Sequence, residues 1–191
     1  MKRAGTVKIT VTAFCVAINI VGAYLALILR LPIYLDSVGT ILNAAVLGPV
    51  YGMITACLSS VFSGITSDVY ALYFMPDGMI TGLIAGLLFR TKWFQKWRLP
   101  FGVLFLAVPG TIISSCIAAY LFGGVTSSGS SMLVQVLHHI GLNMVVSVFV
   151  VQMLTDYVDR LVSVVIARTV QSHLGSRFTT LLKGKKPNGA L

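Results

Sequence analysis

Residues 37–65 read SVGTILNAAVLGPVYGMITACLSSVFSGI, an uncharged apolar stretch interrupted at Leu47-Gly48-Pro49-Val50. Whether it forms one helix or two decides the architecture. A helix crosses the hydrocarbon core of a bilayer with about 20 apolar residues, so the whole stretch read as one helix crosses once. Gly closes helices and Pro opens them. The Gly48-Pro49 pair therefore predicts two helices, about 36–47 and 49–65.

The basic residues require the same break. All but Arg30 of the 14 Lys and Arg fall in three groups: Lys2, Arg3 and Lys8; Arg90, Lys92, Lys96 and Arg98; and Arg160, Arg168, Arg177, Lys183, Lys185 and Lys186. Short Lys/Arg-bearing segments stay on the cytoplasmic side of a membrane. One helix over 37–65 gives five spans and throws the 90–98 group to the wrong side. Two helices give six spans, about 7–29, 36–47, 49–65, 75–90, 100–123 and 132–167, with a basic tail at 168–191. The expected fold is an all-α integral membrane protein of one domain, multi-pass in the cell membrane, with six transmembrane helices and N- and C-termini cytoplasmic. The helix at 36–47 is too short to span upright, so it is expected to tilt or to lie among its neighbours.

Composition agrees with membrane residence. The chain has 191 residues, 57% hydrophobic and 10% charged, with a mean hydropathy of +0.92, whereas a soluble domain carries about 25% charged residues. The formal net charge of +9 suits the anionic inner leaflet of a lipid bilayer. It does not point to nucleic acid, because the basic residues flank apolar spans and form no aromatic-interleaved surface. Cys15, Cys57 and Cys116 lie in apolar stretches and form no disulfide framework. No Cys/His spacing suggests zinc, and no cofactor is expected. The run from Val7 to Leu29 is too long for the apolar region of a signal peptide, so it is read as a retained helix.

With this topology the outer face consists of loops 30–36, 66–77 and 124–131, which carry Asp36, Asp68 and Asp77. Asp156 and Asp159 fall with Arg160 near the inner end of the last helix. Gln135, His139, Asn143 and Ser147 recur every four residues and would share one helix face in the outer half of the membrane. Polar groups at that depth face a bundle interior or a cavity, so the stripe is either a pocket wall or a set of interhelical hydrogen bonds. His138 faces elsewhere. Tyr70, Tyr73 and Phe74, between Asp68 and Asp77, can cover a planar or cationic ligand; Asp77 also suits the N-cap of helix 75–90. In the first loop Tyr34 and Asp36 can hold a ligand, Asp36 and Ser37 compete for the N-cap of helix 36–47, and Arg30 can pair with Asp36 or reach the headgroups.

Catalysis has little support. The chain contains no G-x-x-x-x-G-K-[ST], H-E-x-x-H or G-x-S-x-G sequence. A dyad of His139 with Ser59, Ser60 or Ser63 is conceivable, but Ser is routine in packed membrane helices. Ala13-x-x-x-Ala17 is a small-xxx-small pattern that lets another helix approach closely.

Three local features, Ala13-x-x-x-Ala17, PIYLDSVGTIL at 32–42 and LGPVYG at 47–52, together resemble the substrate-binding S component of an energy-coupling factor (ECF) vitamin transporter. The resemblance covers roughly residues 7–170. It implies a non-enzymatic subunit that binds a small vitamin outside the cell and works with a membrane coupling (T) protein and two ATPase subunits. It implies that Ala13 and Ala17 meet the coupling protein, and that the whole subunit topples to release its substrate inward. In the family the ligand site is built from the first and third loops and the outer parts of helices 4 to 6. Tyr34, Asp36, Tyr73, Asp77, Gln135, His139 and Asn143 are the corresponding candidates. The Tyr-Leu-Asp-Ser segment is most similar to that of members for hydroxymethylpyrimidine or pyridoxine.

Overall fold

The computed structural model describes residues 2–174, and every regular element within them is helical. The elements are α1 (Lys2–Ile28), α2 (Val38–Leu47), α3 (Pro49–Thr66), the single turn α4 (Tyr70–Tyr73), α5 (Met75–Leu88), α6 (Leu99–Phe122), α7 (Ser131–His139) and α8 (Met144–His173). A 3-10 turn, Lys96–Arg98, precedes α6. Arg177, Lys183, Lys185 and Lys186 of the basic tail lie outside the described residues.

Gly48 separates α2 from α3 with φ 103°, a conformation open to glycine and hostile to residues with a Cβ. Pro49 then occupies the first position of α3, where its missing N–H is no loss. The resulting α2 has 10 residues, about 15 Å at the helical rise, half of a bilayer core. It survives because it does not face lipid. Gly39 to Ala44 are all buried, and α1, α3, α5 and α8 pack around it.

The start of α2 corrects one expectation. Neither Asp36 nor Ser37 caps it: Ser37 makes no capping bond, and its hydroxyl donates to Asp159 instead. The cap comes from another helix. Oδ1 of Asn19, in α1, accepts the N–H groups of Gly39 at 2.6 Å and Thr40 at 3.3 Å. These are two of the orphan donors every helix start leaves. The Asn19 amide then donates to the hydroxyls of Thr40 and Ser59, at 2.8 and 3.2 Å. One side chain thus ties α1, α2 and α3 together.

Helices α3 and α5 meet backbone to backbone. A Cβ at Gly82 would collide with the main chain of Gly52, and one at Gly86 with Pro49. Gly82→Val is therefore expected to force the pair apart, at about 1–3 kcal/mol or more for overpacking. A lower melting temperature of the purified protein checks this; an unchanged one would contradict the contact.

The expected helix over 132–167 is two helices. Gly141 takes φ 101° and ends the first. Asn143 has extended backbone and caps the second, accepting the Val145 N–H at 2.9 Å. An uninterrupted four-residue spacing across this segment overlooked both residues, each a strong helix boundary. Once restarted, α8 runs 30 residues to His173, so Asp156, Asp159 and Arg160 fall near its middle rather than near an end.

Among the described residues, three helices are long and apolar enough to cross a membrane: Gly5–Ile28, Pro49–Thr66 and Leu99–Phe122. The apolar helices α2 and α5 are shorter, and α8 is longer but carries the three charges just named. Large apolar side chains point outward, among them Phe14 and Val21 of α1, Phe105 and Ile112 of α6, and Leu154 of α8. Buried polar groups instead line the interior, as Asn19, Thr55, Thr81, Thr111 and Ser147 do.

Candidate functional site

Three loops distant in sequence close over one end of the bundle. Tyr34 of the α1–α2 connection shares a hydrogen bond of 3.1 Å with Thr126, and Gly129 N–H donates to the Leu31 carbonyl at 3.3 Å. Ser127 donates to Asp68, next to α4. Beneath them lies an open cavity. Its lining is polar at Asn19, Asp36, Asp77, Gln152, Asp156 and Arg160, and aromatic at Tyr34 and Phe74.

Arg160 organises the polar wall. It is 5% exposed, and its guanidinium pairs with Asp159 at 2.9 Å and with Asp77 of α5 at 3.3 Å. Asp159 also accepts the Leu35 N–H at 3.0 Å and the Ser37 hydroxyl. That bond is available because Leu35 adopts φ 52°, a left-handed backbone uncommon outside glycine and concentrated at functional sites. Asp156 accepts the Thr111 hydroxyl at 2.7 Å. Gln152 accepts those of Ser114 and Ser115, at 3.2 and 2.8 Å. Gln152, Asp156 and Arg160 recur every four residues along α8, so they share its inward face.

Asp36 stands apart in this set. It is exposed, and it lines the cavity. Its carboxylate accepts a hydrogen bond from no other described residue. Desolvation by the surrounding protein, with the negative charge of Asp159 nearby, raises the Asp36 carboxyl above the usual carboxylate range, against the pull of Arg160. Burial likewise raises the Tyr34 hydroxyl above its ordinary range, with the Thr126 bond opposing.

Of the candidates from the sequence, Tyr34, Asp36 and Asp77 line the cavity, while Tyr73, Gln135, His139 and Asn143 do not. Tyr73 packs edge-on against Phe122 at 5.1 Å, beside Tyr70 at 4.7 Å; of that aromatic group, Phe74 reaches the cavity. Asp77 does not cap α5: its carboxylate meets Arg160 and the Thr81 hydroxyl, the latter at 3.4 Å. The expected stripe comes apart because the helix breaks at 140–143, so the four-residue spacing no longer runs along one helix. Gln135 donates to the Gly123 carbonyl, His139 is exposed, and Asn143 is the cap of α8. The conceived serine dyad fails too, since Ser59, Ser60 and Ser63 line the cavity and His139 is elsewhere. Arg160, counted among the basic flanks from sequence, is a buried ion-pair partner. Arg30 is exposed with φ 48° at the end of α1, and among the described residues it forms no ion pair with Asp36.

An outward-apolar helical bundle with a polar chamber under interlocked loops is the layout of a membrane protein that holds a small molecule. Residues 7–170 match the family described as ECF transporter, substrate-specific component, and the chain belongs to that family. No curated protein and no solved structure matches it. Members are substrate-binding transporter subunits, not enzymes, and this one is a multi-pass protein of the cell membrane. Its partners are a small-molecule substrate and the transporter's membrane-coupling and ATPase modules.

Proposed function

We propose that this S component captures a small vitamin or vitamin precursor, of hydroxymethylpyrimidine or pyridoxine type, outside the cell and delivers it inward with one coupling protein and two ATPase subunits. The chamber beneath the three loops carries this reading. Tyr34 and Phe74 offer ring faces, and Asp36, Asp77 and the Ser59–Ser63 wall offer partners for ring nitrogens, hydroxyls or an amine. The substrate-binding set is thus Tyr34 and the acids, joined by Asn19, Gln152, Asp156 and Arg160.

The six-span topology with both termini cytoplasmic belongs to the same proposal. Lys8 lies over the Tyr51 ring at 5.7 Å, Arg90 lies beside Gly48, and Gln171 bonds the Ala45 carbonyl at the end of α2. Basic residues of the first two groups therefore collect at the Gly48 end of the bundle, away from the acid-bearing loops. The positive-inside rule makes that end cytoplasmic and the loops external.

Purified protein in detergent, without ATP, is expected to melt later with a ligand of the hydroxymethylpyrimidine or pyridoxine type. A ligand at 100 times its dissociation constant adds about 2.7 kcal/mol of stability. Asp36→Ala should weaken the effect. Asn143→Ala should leave affinity intact while costing about 1 kcal/mol of stability through the lost cap. Affinity lost at Asn143 and kept at Asp36 would move the site back to the α7–α8 region.

Ala13 and Ala17 are exposed on α1 and are proposed as the docking face for the coupling protein. Ala13→Trp with Ala17→Trp should abolish cellular uptake while sparing ligand binding by the purified subunit. Undiminished uptake would count against that face.

A further inference from the structure

The chain has five acidic residues, and four of them line the cavity. Asp36, Asp68, Asp77 and Asp156 line it together with a single basic residue, Arg160; Asp159 pairs with that guanidinium without lining the cavity. The charges are unevenly satisfied. Arg160 is shared by Asp77 and Asp159, Thr111 serves Asp156, and Ser127 and the Tyr70 N–H serve Asp68. Asp36 is left facing the chamber with neither a cation of its own nor a donor from another described residue.

Resting on the S-component reading, we infer that the ligand of this chamber is a small organic cation, a protonated amine or positively charged heteroaromatic ring, seated against Asp36. With a single guanidinium among them, the lining carboxylates leave negative charge facing the chamber, and a cation supplies the partner the protein omits. An anionic ligand would add negative charge where carboxylates already exceed the one guanidinium, in surroundings that screen poorly. Tyr34 and Phe74 add ring faces, which attract cations. A metal ion is the weaker candidate on geometry: among the described residues, no three of His, Cys, Asp and Glu gather as a metal site. Without ligand, neighbouring protein and the charges of Asp159 and Asp77 hold the Asp36 carboxyl above the usual carboxylate range, against the pull of Arg160. A bound cation favours the ionised form, so binding releases protons to solvent.

The test uses the full chain in detergent and a panel of probes in three charge classes. The cations are pyridoxamine, thiamine, tyramine and agmatine; the neutral probes are pyridoxine, nicotinamide and riboflavin; the anions are 4-pyridoxate, nicotinate and pantothenate. The largest rise in melting temperature is expected from a cation. Titration calorimetry of that probe in buffers of different ionisation enthalpy should show net proton release. Asp36→Asn should weaken its binding at least tenfold and abolish the release, and Asp36→Glu should restore part of both. Both variants should melt within a few degrees of the unliganded parent, which separates a lost partner from a lost fold. A neutral or anionic probe that stabilises as much as the best cation overturns the proposal, and so does a panel in which no cation stabilises. Co-purification with the coupling protein and ATPases distinguishes the two levels. Assembly retained without any cation response removes only the charge class. Failure both to assemble and to bind probes of any charge removes the S-component reading as well.

Discussion

Arg160→Met is expected to be the most damaging single substitution in the chain. It deletes a cation held between Asp77 and Asp159 and leaves both carboxylates buried without it. Breaking a buried ion pair from one side costs about 3–5 kcal/mol. For a chain of this size that corresponds to a melting temperature lower by roughly 6–20 °C. Methionine has similar bulk, so a packing defect contributes little. Adding Asp77→Asn to Arg160→Met removes one stranded charge and should recover part of the loss, a coupling that a double-mutant cycle measures. If Arg160→Met melts with the parent, or if Asp77→Asn deepens its defect, the guanidinium is not the organiser described above.

Asn19→Ala should be nearly as severe, for a different reason. The alanine withdraws the acceptor from the Gly39 and Thr40 N–H groups and the donor from Thr40 and Ser59. An unsatisfied buried donor costs about 1–3 kcal/mol, and the hydrocarbon around the bundle supplies no water to replace the amide. The expected loss, for two such donors, is about 2–5 kcal/mol. Asn19→Asp, which keeps the acceptor but buries a charge and gives up the two donated bonds, should not rescue it. Thermal melting of both variants checks the pair; a melting temperature within a degree of the parent would show that α2 holds its start without help from α1.

What could be read from the chain depended on the range of the physics involved. The break at Gly48-Pro49 is written in the backbone preferences of two adjacent residues, and the structure places Gly48 between two helices. The shared side of the three loops followed from charge parity, which acts across whole helices and needs no contact map; Tyr34, Asp36 and Asp77 came with it. The rest of the chamber wall was not legible in the same way. Asn19 is one amide in a long apolar run, and nothing local says that it reaches the start of α2. Arg160 looked like an inner-leaflet anchor because its neighbours further along are basic. A signal was nevertheless present: Gln152, Asp156 and Arg160 keep a four-residue spacing on an unbroken helix. The stripe chosen instead, Gln135 to Ser147, crosses Gly141 and Asn143, which end one helix and start the next.

The glycine contact between α3 and α5 bears on how the subunit can move. Helices usually slide past one another by letting side chains hop between rotamers, which confines shear to interfaces with something to repack. Where Gly52 meets Gly82 there are no such side chains, only main chain against main chain, so a small displacement either opens a void or causes a collision. This pair therefore travels as one block. Any opening of the chamber must come from elements fastened by a few hydrogen bonds, namely the 30–36 connection, held through Tyr34 and the Leu31 carbonyl, and the 123–130 segment above it. A spin label on each side of the α3–α5 seam should report one fixed distance with and without ligand, while labels on those two loops report the change.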